Sequence, residues 1–441
     1  MKLGLPYLDR IVPVEFPDEC LLAAAEPNEY KVSRTQEEIL REALNRPHAT
    51  GNNYQNLESF LNGADSVLVI INDATRPTPT ETIIKTLLPV FERKSIAKDR
   101  LTFFVAAGAH QGPDEAGYRQ ILGQFWDLLR GRCIHHDARK EENMVNLGTT
   151  KRGTPVLINK RIFEAGRIIA TGSVEPHYFA GFTGGRKAFL PGAAGYKTIE
   201  ANHKLALSPA ARSLALEGNP VHEDMMEAMA LIKVPVFSLM TVLDREQRIA
   251  AAAAGDLAES FYAAVETARK IFCVPVPGKA DIVISTAKFP MDIDLYQSQK
   301  AIDNGALALK DRGVLILVSS CRNGTGDETY VKLLSEAPSP AEALKRIQAG
   351  YRLGYHKAAK MAEVSERASI KAVTELPAAQ LERLFIKKAP SLQDALDDAL
   401  KEMAVRNNGK PRILILPDGC VTVPDPESRR RQGEVEPKVR L

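Results

Sequence analysis

Closely spaced cysteine pairs are missing from this chain. Its five cysteines, Cys20, Cys133, Cys273, Cys321 and Cys420, are odd in number, scattered, and never form a CxxC. That argues against a disulfide framework or a thiolate zinc site and fits a reducing compartment. Excess charge is missing too. Fifty-eight Lys and Arg against 55 Asp and Glu leave a formal net charge of +3, too little to mark a nucleic-acid or anionic-membrane surface, so neither partner is expected. No apolar run approaches the roughly 20 residues of a spanning helix. The opening MKLGLPYLDRIVPVEFPDE is broken by Pro6, Asp9 and Arg10, unlike a signal peptide. A soluble, cytoplasmic protein is expected. There is no long internal repeat and no low-complexity block beyond the short IAAAAAG.

Two nucleotide signatures are also lacking. A Walker loop needs Gly-Lys followed by Ser or Thr, but Arg186 precedes Lys187 and Ala188 follows it. GAAGYKT sets Tyr196 between glycine and lysine, and no GxGxxG opens a helix. These patterns exclude an ordinary ATP site and a standard dinucleotide site.

What is present is an ordinary globular composition, 44% hydrophobic and 26% charged, over 441 residues. That length exceeds one compact core and predicts two domains. Continuous apolar runs at 66–71 (SVLVII), 101–108 (LTFFVAAG) and 167–172 (RIIATG) read as strands buried on both faces. Helices precede and separate them. TQEEILREALNRP opens with a capping box of Thr35 and Glu38 and closes before Pro47. ETIIKTLLPVFERK is expected to use Thr78 as N-cap, Pro79 as its first residue and Glu81 to complete a box. After two prolines in VPVPGKA the alternation resumes with DIVIST, GVLILVSS, a helix opened by Ser339, Pro340 and Glu342, SLQDALDDALKEM and RILILP. The fold class is α/β, with two domains of mostly parallel, helix-flanked sheets. The expected division is 1–275 for an N-terminal cofactor-binding domain and 276–424 for a C-terminal domain, followed by a disordered tail over 425–441.

In open α/β sheets, ligands bind beyond the carboxyl ends of the strands. Three such ends carry unusual residues. NDATRPTPT holds Asp73 and Arg76, AAGAHQGP holds His110, and GSVEPHYFAGFTGGRKAFLPG holds His177 and Lys187. Asp73 and Arg76 would also suit a capped turn with its own ion pair, and His110 a loop histidine bonded to backbone. Gly181, Gly184 and Gly185 would let amide groups approach an anion, with Arg186 adding charge. A lysine hemmed in by Tyr178, Phe179, Phe182 and Phe189 suits a depressed pKa and a covalent role. His135 and His136 read as structural hydrogen-bonding residues, and His48 and His222 as surface residues.

Together, DATRP, GAH, EPHYFAGFTGGRKAFLPG, ANHKLAL (201–207) and LYQSQKA (295–301) resemble the nickel-dependent lactate racemase family. The resemblance spans most of the chain, and five ordered motifs make it specific. It implies racemisation or epimerisation of 2-hydroxy acids by means of a nickel pincer nucleotide, a pyridinium-3,5-bisthiocarboxylic acid mononucleotide carrying nickel. It further implies a covalent thioamide to Lys187, a nickel ligand in His203, and general bases in His110 and His177. Asp73, Gly184, Gly185 and Arg186 are then expected to bind cofactor. Arg76, Gln297, Lys300 and Tyr355 are expected to bind substrate, the last three from the second domain across an interdomain active-site cleft. Transient cofactor-synthesis partners follow from the same resemblance.

The chemistry agrees with it. The carboxylate of a 2-hydroxy acid opposes a carbanion at C2, whereas hydride departure leaves a stable 2-keto acid. The hydroxyl proton must leave at the same time, a task for imidazole, and inversion calls for a base on each face. In LGYHKAAK, Tyr355, His356 and Lys357 replace a different aromatic found in some relatives, which leaves the acid open. Lactate and malate lead, ahead of a sugar-acid epimerase. A nicotinamide-dependent enzyme and a non-catalytic carrier of the nickel nucleotide are the competing readings.

Overall fold

The computed structural model describes residues 1–51, 54–406 and 409–427. The chain divides into two compact units, Glu29–Lys270 and Met1–Asn28 with Ile271–Leu441. The expected division at 275/276 had assigned the first 28 residues to the first domain. They belong to the second, because Leu21–Ala24 is a parallel edge strand on Ile413–Leu416.

The Glu29–Lys270 unit is built on a six-stranded sheet. Its order is Ile249–Gly255, Val236–Leu243, Arg167–Ser173, Val67–Ile71, Leu101–Val105, Cys133–His135. Only the Val236–Leu243/Ile249–Gly255 pairing is antiparallel within it. All five residues of Val67–Ile71 are buried, as a central strand covered on both faces requires. Helix Gln36–Asn45 forms the expected Thr35/Glu38 capping box and buries Ile39, Leu40, Ala43 and Leu44. Helix Thr80–Arg93 packs Ile83, Ile84 and Leu87 into the same core as Val69 and Phe103. Each fully buried aliphatic side chain of this kind contributes about 1.5–3 kcal/mol.

The start of that second helix corrects the sequence reading. Pro79 is the N-cap and no side chain caps the helix. The Thr78 hydroxyl instead lies 2.8 Å from Asn72 Oδ1 and 3.1 Å from Ser173 Oγ, tying together the loops that follow two neighbouring strands. Glu81 accepts from Gln124 Nε2 at 2.9 Å.

The other unit carries a fully parallel six-stranded sheet ordered Ile386–Lys388, Ser369–Val373, Leu309–Val318, Ala280–Thr286, Ile413–Leu416, Leu21–Ala24. A hairpin of Lys2–Tyr7 and Arg10–Glu15 adds Leu5 and Val14 to its core beside Ile284 and Ile415. The VPVPGKA connection begins as strand Cys273–Pro275, parallel to Val423–Asp425. Ordered structure therefore continues into the segment expected as a tail. Residues 428–441 of that expectation lie outside the described residues. Among the described residues no helix is long and apolar enough to cross a membrane.

Candidate active site

Three neighbouring parallel strands place the site. Val67–Ile71 lies between Arg167–Ser173 and Leu101–Val105 with in-step registers, so the segments after all three leave the same edge of the sheet. Those segments hold Asp73 and Arg76, His110, and His177 with Lys187.

Asp73 is buried, with 7% of its surface exposed. Its Oδ1 accepts from the Thr75 amide at 2.8 Å and from the Thr75 hydroxyl. Its Oδ2 lies 3.0 Å from Nδ1 of His110. Burial opposes ionisation, but the hydrogen bonds from His110 and Thr75 and the His110 and Arg76 charges outweigh it and hold the carboxyl below its usual value. Asp73, expected to contact cofactor, thus directs its carboxylate at its own loop and at His110. The expected alternative of an Asp73–Arg76 ion pair is not formed either. Arg76 is exposed, and among the described residues its guanidinium forms no ion pair.

The 175–192 segment is organised around one ring. Phe179 is buried and meets His177 at 4.5 Å between centroids, His203 at 5.2 Å, and Lys187 Nζ at 5.7 Å. His203 is buried on helix Tyr196–Lys204. Three residues drawn from two motifs therefore share one aromatic neighbour, which the sequence marks only as part of an aromatic-rich loop.

Lys187 and His177 each retain some exposed surface, yet the protein around their charge-bearing atoms strips away water. Burial, followed by the Arg76 and Arg186 charges, holds Lys187 well below an ordinary lysine. Burial, followed by Lys187, Arg76, His203 and Arg186, likewise holds His177 well below an ordinary histidine. Among the described residues no carboxylate pairs with Lys187. An amine whose protonation is disfavoured in this way is the more readily nucleophilic.

Arg186 departs from expectation. It is fully buried, and its guanidinium donates to the carbonyls of Ala180 at 2.7 Å and Gly184 at 3.2 Å while lying 4.4 Å from the Phe261 centroid. Burial lowers its pKa to about 9. It clamps the loop from inside instead of offering charge to an anion. Gly185 likewise turns inward: its amide donates to Met240 Sδ at 3.0 Å. At Gly184 the φ is +76°, and a Cβ would come within 2.6 Å of Val174 Cγ2. These glycines let the loop lie against its own sheet and helix, so the expected anion cradle from Gly185 and Arg186 gives way to tight packing.

Sequence reading also missed the support under His203. Asp224, fully buried, accepts from Thr150 Oγ1 at 2.5 Å, Thr154 Oγ1 at 2.8 Å and Asn202 Nδ2 at 2.8 Å, fixing the residue next to His203. The Asn in ANHK was the available signal. His136 is buried, bonding Ala194 O and Asn159 Nδ2 at 2.8 and 3.0 Å, in keeping with a structural part. His222, expected at the surface, is buried against Tyr262 OH at 3.1 Å.

In the other unit, Gln297 sits in the first turn of helix Leu295–Leu307, its amide donating to the Asp294 cap at 2.7 Å. Lys300 Nζ is 3.4 Å from Met291 Sδ. Tyr355 opens helix Tyr355–Arg367, its ring 6.2 Å from that of Tyr351.

The nickel pincer nucleotide can be tested against this arrangement. An amine that burial disposes to lose its proton suits acylation, and an imidazole on the same aromatic ring suits a borderline metal such as nickel. Among the described residues no group of three or more His, Cys, Asp or Glu side chains is placed to hold a metal, so here a metal would rely on ligands beyond the protein's own. The residues present fit the group.

Comparisons with known proteins agree with the residues. The model of the lactate racemase N-terminal domain matches residues 7–213, and that of the lactate racemase C-terminal domain matches residues 276–423. The lactate racemase of Thermoanaerobacterium thermosaccharolyticum is 32% identical over 433 residues, covering 96% of this chain and 99% of the relative. That of Lactiplantibacillus plantarum is 28% identical over 431 residues, covering 95% and 98%. The solved structure of the T. thermosaccharolyticum lactate racemase apoprotein superposes with a TM-score of 0.86 at 29% identity, covering 96% of this chain and all of that one. A Thermotoga maritima protein of 16% identity shares the fold at a TM-score of 0.65. With both domain models matched in order and a relative above 30% identity along nearly its whole length, this chain belongs to the lactate racemase family.

Proposed function

We propose that this protein racemises a short 2-hydroxy acid, lactate or malate, using a nickel pincer nucleotide held by Lys187 and His203. One grouping carries the reading: His177, Lys187 and His203 gathered on the Phe179 ring. The two loops that bear Asp73 and His110 leave the same sheet edge. When bound, the nucleotide supplies a reversible acceptor for the C2 hydrogen and its electron pair.

The chain's own residues do the rest. Lys187 presents for covalent attachment an amine whose protonation burial disfavours. His203 presents an imidazole for nickel. Arg76, exposed and outside any described ion pair, offers its planar fork to the substrate carboxylate. His110 and His177 hold or move the hydroxyl proton. The substrate contacts assigned by resemblance to Gln297, Lys300 and Tyr355 belong to the same proposal.

The test is chiral chromatography of single enantiomers of lactate, malate and a wider 2-hydroxy-acid panel, each incubated with cofactor-loaded protein. At least one acid is expected to approach a 1:1 mixture. Turnover of none of them would sink the reading in favour of a carrier.

A further inference from the structure

The two site histidines are held by partners of opposite hydrogen-bonding character. Nδ1 of His110 lies 3.0 Å from Oδ2 of Asp73. An ionised carboxylate can only accept, so Nδ1 carries the hydrogen and, in the neutral ring, Nε2 keeps its lone pair. Nδ1 of His177 lies 3.3 Å from the Ala180 amide nitrogen and 3.5 Å from that of Phe179. A backbone N–H can only donate, so here Nδ1 is the acceptor and, in the neutral ring, the hydrogen is on Nε2. The ring is pinned in that pose. Tyr178 stacks on it at 4.9 Å and 17°, and Phe179 meets it edge-on at 4.5 Å and 89°.

We propose that His110 and His177 rest in opposite tautomers, fixed by Asp73 on one side and the Ala180 amide on the other, so that substrate meets one base and one hydrogen-bond donor. The inference rests on the reading that both residues face a 2-hydroxy acid. Asp73 is then a positioning residue that acts through His110.

The proton count closes at named atoms. A hydroxyl at His110 gives its proton to Nε2, and the resulting imidazolium is balanced by the Asp73 carboxylate. A hydroxyl at His177 meets an N–H and finds no lone pair. Before His177 accepts, one proton must leave Nε2 for solvent and one must arrive at Nδ1, with loss of the contact from Ala180. Burial and the neighbouring Lys187, Arg76, His203 and Arg186 all disfavour a positive charge on His177, whereas Nδ1 of His110 faces the Asp73 carboxylate. The two half-reactions therefore start from unequal positions, as they do wherever a neutral imidazole is held as donor and a second group serves as base.

The experiment is long-range proton–nitrogen correlation NMR on the full chain, free of cofactor and labelled with nitrogen-15 at its eight histidines. His110→Gln and His177→Gln supply the assignments. The expected result is an Nδ1–H pattern for His110 and an Nε2–H pattern for His177 near neutral pH. Asp73→Asn is expected to shift His110 away from the Nδ1–H pattern and leave His177 unchanged. The same tautomer at both residues, or an unaltered His110 pattern in Asp73→Asn, would overturn the proposal. Should Asp73→Asn not fold, the parent patterns decide alone. Correct tautomers without racemisation of any acid would sink the function reading and leave this one standing; racemisation with equal tautomers would do the reverse.

Discussion

The two sides of the candidate site solve opposite electrostatic problems. On the Asp73–His110 side a buried carboxylate stands behind an exposed imidazole, so a positive charge arriving on that ring has a partner. On the 175–192 side, aromatic rings and cations crowd His177 and Lys187, and burial together with Arg76 and Arg186 favours their neutral forms. The first arrangement stabilises a proton once taken; the second disfavours charge on an amine and an imidazole. A site with both can hold a base and a covalent anchor close together without either neutralising the other.

The largest way to break this comparison is to remove a histidine. His110→Ala and His177→Ala are each expected to lower kcat by about 10²–10⁴-fold, measured by chiral assay on protein that retains its cofactor by mass. Parent rates in both would end the acid–base assignment. A smaller effect sharpens it: Asp73→Asn is expected to cost about 10–100-fold, as for groups that orient a reacting residue, chiefly in kcat with KM nearly unchanged. The matching change on the other side, Arg186→Met, leaves the Ala180 and Gly184 carbonyls without their donor. It is expected to lower unfolding free energy by about 1–3 kcal/mol in urea titrations.

The last way to sharpen the comparison is a pH slope. Burial, followed by the Arg186 charge, lowers His222 to about 3 from its ordinary 6.5. The unfolded chain therefore binds the proton that the folded chain refuses. Stability contributed by neutral His222 is present above pH 6.5 and falls as pH drops from 6.5 toward 3, by about 1.4 kcal/mol per pH unit. His222→Phe is expected to flatten the stability–pH curve in that window. An unchanged slope would show that another group sets it.

Much of this was legible in the sequence because it is local. Apolar runs marked the central strands, and their ends marked Asp73, His110 and His177, since a parallel sheet collects its functional loops at one edge. What escaped was non-local. Leu21–Ala24 pairs with a strand nearly the whole chain away, and nothing in four small apolar residues names that partner. Thr78 looked like a cap because its spacing to Glu81 suits one, yet its hydroxyl is engaged across the sheet edge by Asn72 and Ser173. His222 follows Pro220 and precedes Glu223 and Asp224, a polar helix start, but Asp224 is itself buried among two threonines and an asparagine. Arg186 and Lys187 looked alike as neighbours. In the tight turn Gly185–Ala188 successive residues diverge by about 120°, sending one to the interior and the other to the Phe179 ring.

The central claim is that the cationic, aromatic side of the site exists to make Lys187 an attachment point. Peptide mass mapping of protein prepared in a host that makes the nickel nucleotide tests it most directly. The account predicts a covalent mass increase confined to the peptide containing Lys187 and absent from Lys187→Arg, which keeps a long basic side chain but not the nucleophilic amine. An adduct on a different lysine, or full racemase activity in Lys187→Arg, would contradict it.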